Sequence, residues 1–274
     1  MTIKVPTTDY SSVWPLMLAE ARRASEEQPL MASFFHSNII NHNNFAQAIS
    51  FYLAQHLASD AVPAMVIAST FEQALNDDNS IVECMMQDLL AHYTRDPACD
   101  QRITPLLYFK GYHAIQSYRI AHWLWQQKRT VLAHYFQSRI AQLFDVDIHP
   151  AASIAGGLMV DHATGVVIGE TAIVGENVSM LHGVTLGGSG KLGGQRHPSI
   201  GAGVLLSVGA KILGNIHIGE GAKVGAGSLV IDSVPAYATV VGVPAVMVGQ
   251  VMGAEDSHQK LLAALGMDHR IPST

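Results

Sequence analysis

From Ile148 onward an aliphatic side chain returns every sixth residue, at Ile154, Val160, Val166, Ala172, Val178 and Val184. The beat pauses once, for sixteen residues, and resumes at Ile200, Leu206, Ile212, Ile218, Val224 and Val230. A helix repeats its buried face near 3.6 residues and a strand near 2, and neither alone demands a strict six. A fixed short period sustained over this length marks a solenoid of hexapeptide β-helix type. Each hexad is then one short strand and a turn, with the marked aliphatic pointing inward. Three hexads close one triangular coil, so residues eighteen apart stack. Ile148, Val166 and Val184 share a wall, Ile154 and Ala172 a second, Val160 and Val178 a third. If the ten extra residues of the pause form a loop, Ile200, Leu206 and Ile212 rejoin the second, third and first walls in register. Glycines beside the marks supply tight turns.

Upstream, the chain reads as helices over 12–28, 30–40, 45–57, 80–93 and 131–144, separated by Asn-, Asp- and Pro-rich joints. Ala114, Tyr118, Ala121 and Trp125 fall on one further helical face. Gly111 is the only glycine before residue 156, and that shift in glycine usage places the boundary. The expected organisation is α+β: an all-helical domain over 1–145, a left-handed parallel β-helix with one protruding loop over 146–252, and a tail over 253–274. Past Val230 the beat reaches Ala236 and Gly242, and Pro235 and Pro244 end it. The helical domain and the tail, helix-like near Lys260–Leu265, are expected to cap the open sheet ends.

A net charge of −6 and a pI near 6.1 give no global attraction to nucleic acid or anionic membrane. Two cysteines, Cys84 and Cys99, make no disulfide framework. The N-terminus lacks a signal-peptide core, and the uncharged stretch 233–254 is broken by Pro235, Gly242 and Pro244. A soluble, cytoplasmic protein is expected.

Asp161-His162 is the first candidate for chemistry. Neighbours on a strand point to opposite faces, so the two need not touch. Asp147, near the start of the same coil, could approach His162 across it. An Asp holding one ring nitrogen leaves the other free as a general base. The competing reading makes His162 a solvated turn residue. His149, His182, His197 and His217 are scattered one per hexad, and no metal is expected from them. Gly190-Lys191 does not complete a P-loop. His113, His122, Trp123 and Trp125 read as packing residues, and Asp96 as a helix or turn cap. The pause itself, Gly187 to Pro198, carries Lys191, Arg196 and His197 on a glycine-rich loop, a favoured place for function.

Asp147-Ile-His-Pro-Ala-Ala, Asp161-His-Ala-Thr-Gly-Val-Val-Ile-Gly-Glu170-Thr, Leu181-His-Gly-Val-Thr-Leu-Gly-Gly-Ser-Gly-Lys191 and Arg196-His-Pro198 together closely resemble the serine acetyltransferases. The resemblance extends through Gly209–Ile216 and Gly221–Ser228. It reaches the helical half at Pro29–Phe35, Thr94–Ala98 and Thr104–Gly111. Related sugar and antibiotic acetyltransferases share the solenoid but usually lack the helical domain. The resemblance implies transfer of an acetyl group from acetyl-CoA to the hydroxyl of L-serine, the first step of cysteine synthesis, with no metal. It makes His162 the base and Asp147 its orienting acid. Asp96, Asp161, Arg196, His197 and Gly188 fall to the serine site, where Arg196 suits the carboxylate and the acids the ammonium. Backbone N–H groups at Gly187-Gly188 are candidate oxyanion donors. Lys223, Gly225, Ala226 and Gly227 are candidate CoA contacts.

The same resemblance implies solenoid trimers with sites between subunits, helical domains joining trimers into hexamers, and feedback inhibition by L-cysteine. Two departures qualify it. Val246 follows Gly242-Val-Pro-Ala245 where the family commonly has a basic residue, so the resemblance does not carry over a phosphate contact at this position. The chain ends in Thr274 rather than the isoleucine that enters O-acetylserine sulfhydrylase, so that complex is expected to be weak or absent. The alternatives are acetylation of another small hydroxyl compound, such as a sugar or antibiotic, and a non-catalytic scaffold.

Overall fold

The computed structural model describes residues 10–190 and 193–250. Expectations for Lys191, the 253–274 tail and Thr274 fall outside the described residues. Helices come first: α1 (Val13–Glu27), α2 (Ala32–Phe35, continued by a π-turn His36–Ile40), α3 (Phe45–Leu57) and α4 (Ala64–Asp77). Then follow α5 (Asn79–Arg95), α6 (Ile103–Tyr108), α7 (Lys110–Gln126) and α8 (Thr130–Phe144). Local chemistry sets several ends. Asn44 caps α3 by accepting from Gln47 N at 2.9 Å, while the Gln47 side chain accepts from Asn43 N, a reciprocal cap. Asp145, with φ of 57°, closes α8 in a left-handed cap and turns the chain into the first strand at Val146.

Helices α4 and α6 were not among the expected segments. The apolar positions of α4, Ile67, Phe71, Ala74 and Leu75, have helical spacing, but only Pro63 stands at its start. α6 has just six residues and holds Pro105 in its first turn, where proline is tolerated. Helix α7 is the hub: Gly111 through Ala121 are buried on every side. Its core joins that of the solenoid in one continuous apolar cluster.

Two histidines lie in that helical core. Burial, with Arg95 nearby, lowers His92 to about 3, and burial lowers His113 to about 4, both from 6.5. The unfolded chain takes up their protons near 6.5, whereas the folded chain refuses them until the lower values. Below pH 6.5 the unfolded state therefore binds more protons. Each histidine then removes stability at about 1.4 kcal/mol per pH unit, until its folded value is reached. The melting temperature is expected to be highest above pH 7 and to fall steadily between pH 6.5 and 4. A flat profile across that range, by calorimetry, contradicts this.

The solenoid is a parallel, left-handed β-helix with three walls. The first wall stacks Val146–Ile148, Val166–Ile168, Thr185–Gly187, Lys211–Leu213 and Leu229–Val230. The second stacks Ser153–Ile154, Ile173–Val174, Ser199–Ile200 and His217–Ile218. The third stacks Met159–Val160, Ser179–Met180, Leu205–Leu206, Lys223–Val224 and Ala238–Gly242, the last closed by an antiparallel strand Ala245–Gln250. The beat thus runs past Pro235, because Val234 bridges to Ile218 and Val240 pairs with Val224.

The register corrects the expected stacking. Ile148 pairs with Ile168, not Val166, and Ile154 with Val174, not Ala172. Val160 pairs with Met180. Later coils keep the eighteen-residue offset, as in Ile168 with Leu186 and Ile200 with Ile218. The six-residue count slipped because Val166, Ala172, Val178 and Val184, two positions earlier, are also buried. The beat is therefore interrupted twice. From Val160 to Ile168 it takes eight residues, and from Leu186 to Ile200 fourteen, while Ile200, Leu206 and Ile212 rejoin the second, third and first walls as expected. The first insertion, two residues long, falls in the turn that carries His162.

Helices and solenoid are sewn together by two buried arginines. Arg95, at the end of α5, donates to the carbonyls of Gly157 and Asn177 and to Asn177 Oδ1, at 2.9–3.1 Å. Arg119 of α7 pairs with Asp88 of α5 at 2.8 Å and donates to Ile154 and Ala155 carbonyls. Among the described residues no helix is long and apolar enough to cross a membrane.

Candidate active site

The candidate residues fall into two groups at opposite edges of the first wall. The first group sits where the third wall turns into the first. Here His162 and Ala163 both have left-handed φ, 55° and 59°, a conformation that side-chain-bearing residues adopt at a cost. Two tight turns in succession enforce it: Ala163 N donates to Asp161 O at 2.6 Å, and Thr164 N to His162 O at 2.7 Å. The two-residue insertion thus lifts the imidazole off the coil, with 72% of its side chain exposed. Asp161 and His162 do approach, Oδ2 to Nε2 at 3.6 Å, because the turn cancels the strand alternation that would separate them. On the next coil the ring of His182 meets that of His162 edge to face at 5.8 Å.

The second group sits where the first wall turns into the second. Arg196 pairs with Glu170, whose carboxyl this hydrogen bond lowers from its ordinary value. Thr171 organises His197. Its Oγ1 accepts from the backbone N–H of Arg196 and His197, both at 3.1 Å, and its backbone N–H donates to His197 Nδ1 at 3.2 Å. Because Nδ1 accepts that bond, the ring proton resides on Nε2. Burial and the neighbouring Arg196 lower the His197 pKa. His197 thus presents Nε2 as an N–H donor. Its Nε2 lies over Gly169 and Gly188, where an added Cβ would come within 2.0 and 3.0 Å. Gly169 is thus needed as space for this ring, and Gly188 leaves it a closer fit than a side chain would.

Asp147 belongs with the second group. Its Oδ1 accepts from Gln137 Nε2 of α8 at 2.8 Å, and with Glu170, His134 and Arg196 it is one of the charges acting on His149. The expected approach of Asp147 to His162 does not form within one chain. Asp147 stands on the first wall itself, pairing with Val167, while His162 precedes that wall. Asp96 behaves as the capping residue first read from its chemistry, its Oδ1 accepting from Ala98 N at 2.8 Å at the end of α5. The carbonyls gripped by the adjacent Arg95 place that helix end on the third wall. Gly187 and Gly188 lie at the second group's edge, away from His162.

Gly225, Ala226 and Gly227 occupy the same edge as His162, further along the solenoid. The edge is a ladder in which Gly183 N bonds to Thr164 O, Gly209 N to His182 O, and Gly227 N to Val208 O. Going along it, the outward residue shrinks from His182 to Val208 to Ala226. Three coil spacings separate its ends, about 14 Å. Lys223 lies in the third wall beside this edge. Val246 is 61% exposed on the closing hairpin and offers no cation. Among the described residues no three His, Cys, Asp or Glu side chains gather as a metal site requires.

Sequence reasoning left Glu170 and Thr171 without roles, although both stand in a quoted motif. Nothing in spacing alone reveals that residues 25 or 26 apart meet across the second insertion.

A family model described as serine acetyltransferase, N-terminal, matches residues 13–117. A serine acetyltransferase of Haemophilus influenzae is 49% identical over 256 residues, 93% of this chain and 96% of the relative. The solved serine acetyltransferase of Vibrio cholerae superposes with a TM-score of 0.90 at 49% identity, covering 96% of this chain and 99% of the other. Similar structures were solved with small molecules. One serine acetyltransferase is in complex with cysteine (51% identity, TM-score 0.86, covering 87% and 99%). The Neisseria gonorrhoeae protein is in complex with serine (48%, 0.83, covering 85% and 96%). The Brucella abortus protein is in complex with coenzyme A (45%, 0.86, covering 89% and 97%).

Proposed function

Because the chain belongs to the serine acetyltransferase family, we propose that it acetylates the L-serine hydroxyl with His162 as general base, in a site completed by a neighbouring copy. Acetyl-CoA is the co-substrate. The observation that carries the reading is the separation of the two groups. A three-residue strand is about 10 Å long, more than one serine molecule can bridge. In a neighbouring copy, Arg196 and the Nε2–H of His197 face the substrate carboxylate, while Asp161 and Asp96 of the first chain receive its ammonium. Asp147 of the neighbour then orients His162 through the oxygen that Gln137 does not occupy. Related proteins solved with serine and with cysteine support an amino-acid site of this kind.

In the reaction, the serine hydroxyl attacks the thioester carbonyl as its proton passes to His162. The tetrahedral oxyanion collapses, the carbon–sulfur bond breaks, and the departing CoA sulfur takes the proton back from the imidazolium. Gly187-Gly188 N–H groups, brought from the neighbouring copy with His197, are the proposed oxyanion donors. The thinning edge from His182 to Ala226, with Gly225, Gly227 and Lys223 at its far end, is the lane for the pantetheine arm. L-Cysteine has the ammonium and carboxylate of serine and competes for the same groups. On the helical part, Leu30 (95% exposed) and Met65 (80% exposed) are apolar surface suited to joining trimers.

The test is thiol release from acetyl-CoA with and without L-serine, repeated with added L-cysteine. Serine-dependent release that cysteine suppresses competitively is expected. Turnover on a sugar hydroxyl but not on serine sinks the reading.

A further inference from the structure

We propose that Lys110, at the start of α7, is a positioning residue for His162, so that the helical part of the chain holds the catalytic turn in its working shape. The inference rests on His162 being the base.

Three contacts converge on the turn from that helix start. Lys110 Nζ hydrogen-bonds Thr164 Oγ1, and Thr164 Oγ1 in turn lies 3.5 Å from the carbonyl oxygen of His162. Gly111 lies so close that an added Cβ would stand 2.1 Å from Val160 O and 3.1 Å from Ala163 Cβ. Ala163 is fully buried beneath it. The turn itself needs such support. Two consecutive non-glycine residues in the left-handed region persist only where the surroundings over-determine them.

The position of Lys110 argues that its contact with Thr164 is not incidental. A cation in the first turn opposes the helix dipole, where an anion is favoured. No acidic residue stands in the first turn of α7, and no carboxylate pairs with Lys110 among the described residues. The residue accepts that placement and holds a hydroxyl on the base-bearing turn instead. Released from it, the turn gains freedom to relax the φ of His162 and swing the imidazole away from the substrate hydroxyl. The carboxylate-binding groups on the second edge are untouched by such a change, and the backbone of Asp161 stays anchored by its N–H to Met180 O at 2.9 Å.

The experiment compares Lys110→Met, Lys110→Arg, Thr164→Val and the double variant Lys110→Met/Thr164→Val with the full-length protein and with His162→Ala. Turnover number, both Michaelis constants and melting temperature are measured for each. Lys110→Met is expected to lower turnover about ten- to a hundredfold with either Michaelis constant changed less than about threefold. Lys110→Arg should restore most of it, and the double variant should be no slower than the slower single one. A Lys110→Met enzyme with unchanged turnover overturns the inference. So does a change confined to the Michaelis constant for acetyl-CoA, which assigns Lys110 to the co-substrate. If His162→Ala is as active as the native chain, the failure belongs to the base assignment rather than to the positioning.

Discussion

His162→Ala is expected to lower the turnover number by about two to four orders of magnitude, the scale of a lost general base, and to leave both Michaelis constants near their native values. The serine hydroxyl is a poor nucleophile until its proton is accepted during attack. The imidazole sits on the inserted turn with its ring exposed, where an incoming hydroxyl can reach it. The other conspicuous histidine is not expected to substitute, since Thr171 N donates to His197 Nδ1 and leaves Nε2 as the donor. His197→Ala is thus the informative control, expected to raise the Michaelis constant for serine more than it lowers turnover. Steady-state thiol release on both variants checks the pair. An undiminished turnover number in His162→Ala removes this residue from the mechanism.

The solenoid was legible because burial in a triangular coil forces an aliphatic residue to each inner face, a period that neither a helix nor a lone strand imposes. The slip at Val166 shows the limit of that reading. Each wall buries two positions, two residues apart, and both are aliphatic here, as with Val166 and Ile168. A two-residue insertion therefore moves the count from one buried column to the other without a visible break. The eight-residue insertion before Ile200 had no such disguise. Both insertions carry candidate chemistry, His162 on the short one and Arg196 with His197 on the long one, so the hidden interruption mattered as much as the open one.

Side-chain partnerships were less legible than the fold. Asp147 and His162 were named from chemistry and resemblance, yet one chain holds Asp147 on the first wall and His162 in the turn before it. Sequence separation says nothing about whether two residues meet within a chain or between copies. Asp96 shows the reverse. Its local bond to Ala98 N follows from its place after α5, and only the grip of Arg95 on the third wall brings that helix end to the solenoid. Thr171 had no independent signal, because its role depends on a loop folding back over 26 residues.

The second large effect concerns the seam between helices and solenoid. Asp88→Ala is expected to cost about 3–5 kcal/mol, the usual result of leaving one half of a buried ion pair uncompensated. Asp88 is fully buried and accepts from Arg119 Nε and Nη2, Gln116 Nε2 and Leu158 N, at 2.8–3.0 Å. Its loss strands the Arg119 guanidinium with only the Ile154 and Ala155 carbonyls, and strands the Leu158 N–H as well. Burial pushes the Asp88 carboxyl above its ordinary range, while the neighbouring Asp88 holds the Arg119 guanidinium above its own, so the pair is costly to desolvate and strongly attracted at once. Removing both charges should then cost far less than the two single losses together, so Asp88→Leu/Arg119→Met is expected to regain much of the deficit. Urea midpoints at an unchanged denaturant slope measure both. A loss under about 1 kcal/mol in Asp88→Ala shows that water reaches Arg119 and that the seam is not dry. Such a loss also denies the pair its other consequence: Asp88 on α5 and Arg119 on α7 bind solenoid backbone at Ile154, Ala155 and Leu158, so an intact pair makes helices and solenoid unfold together.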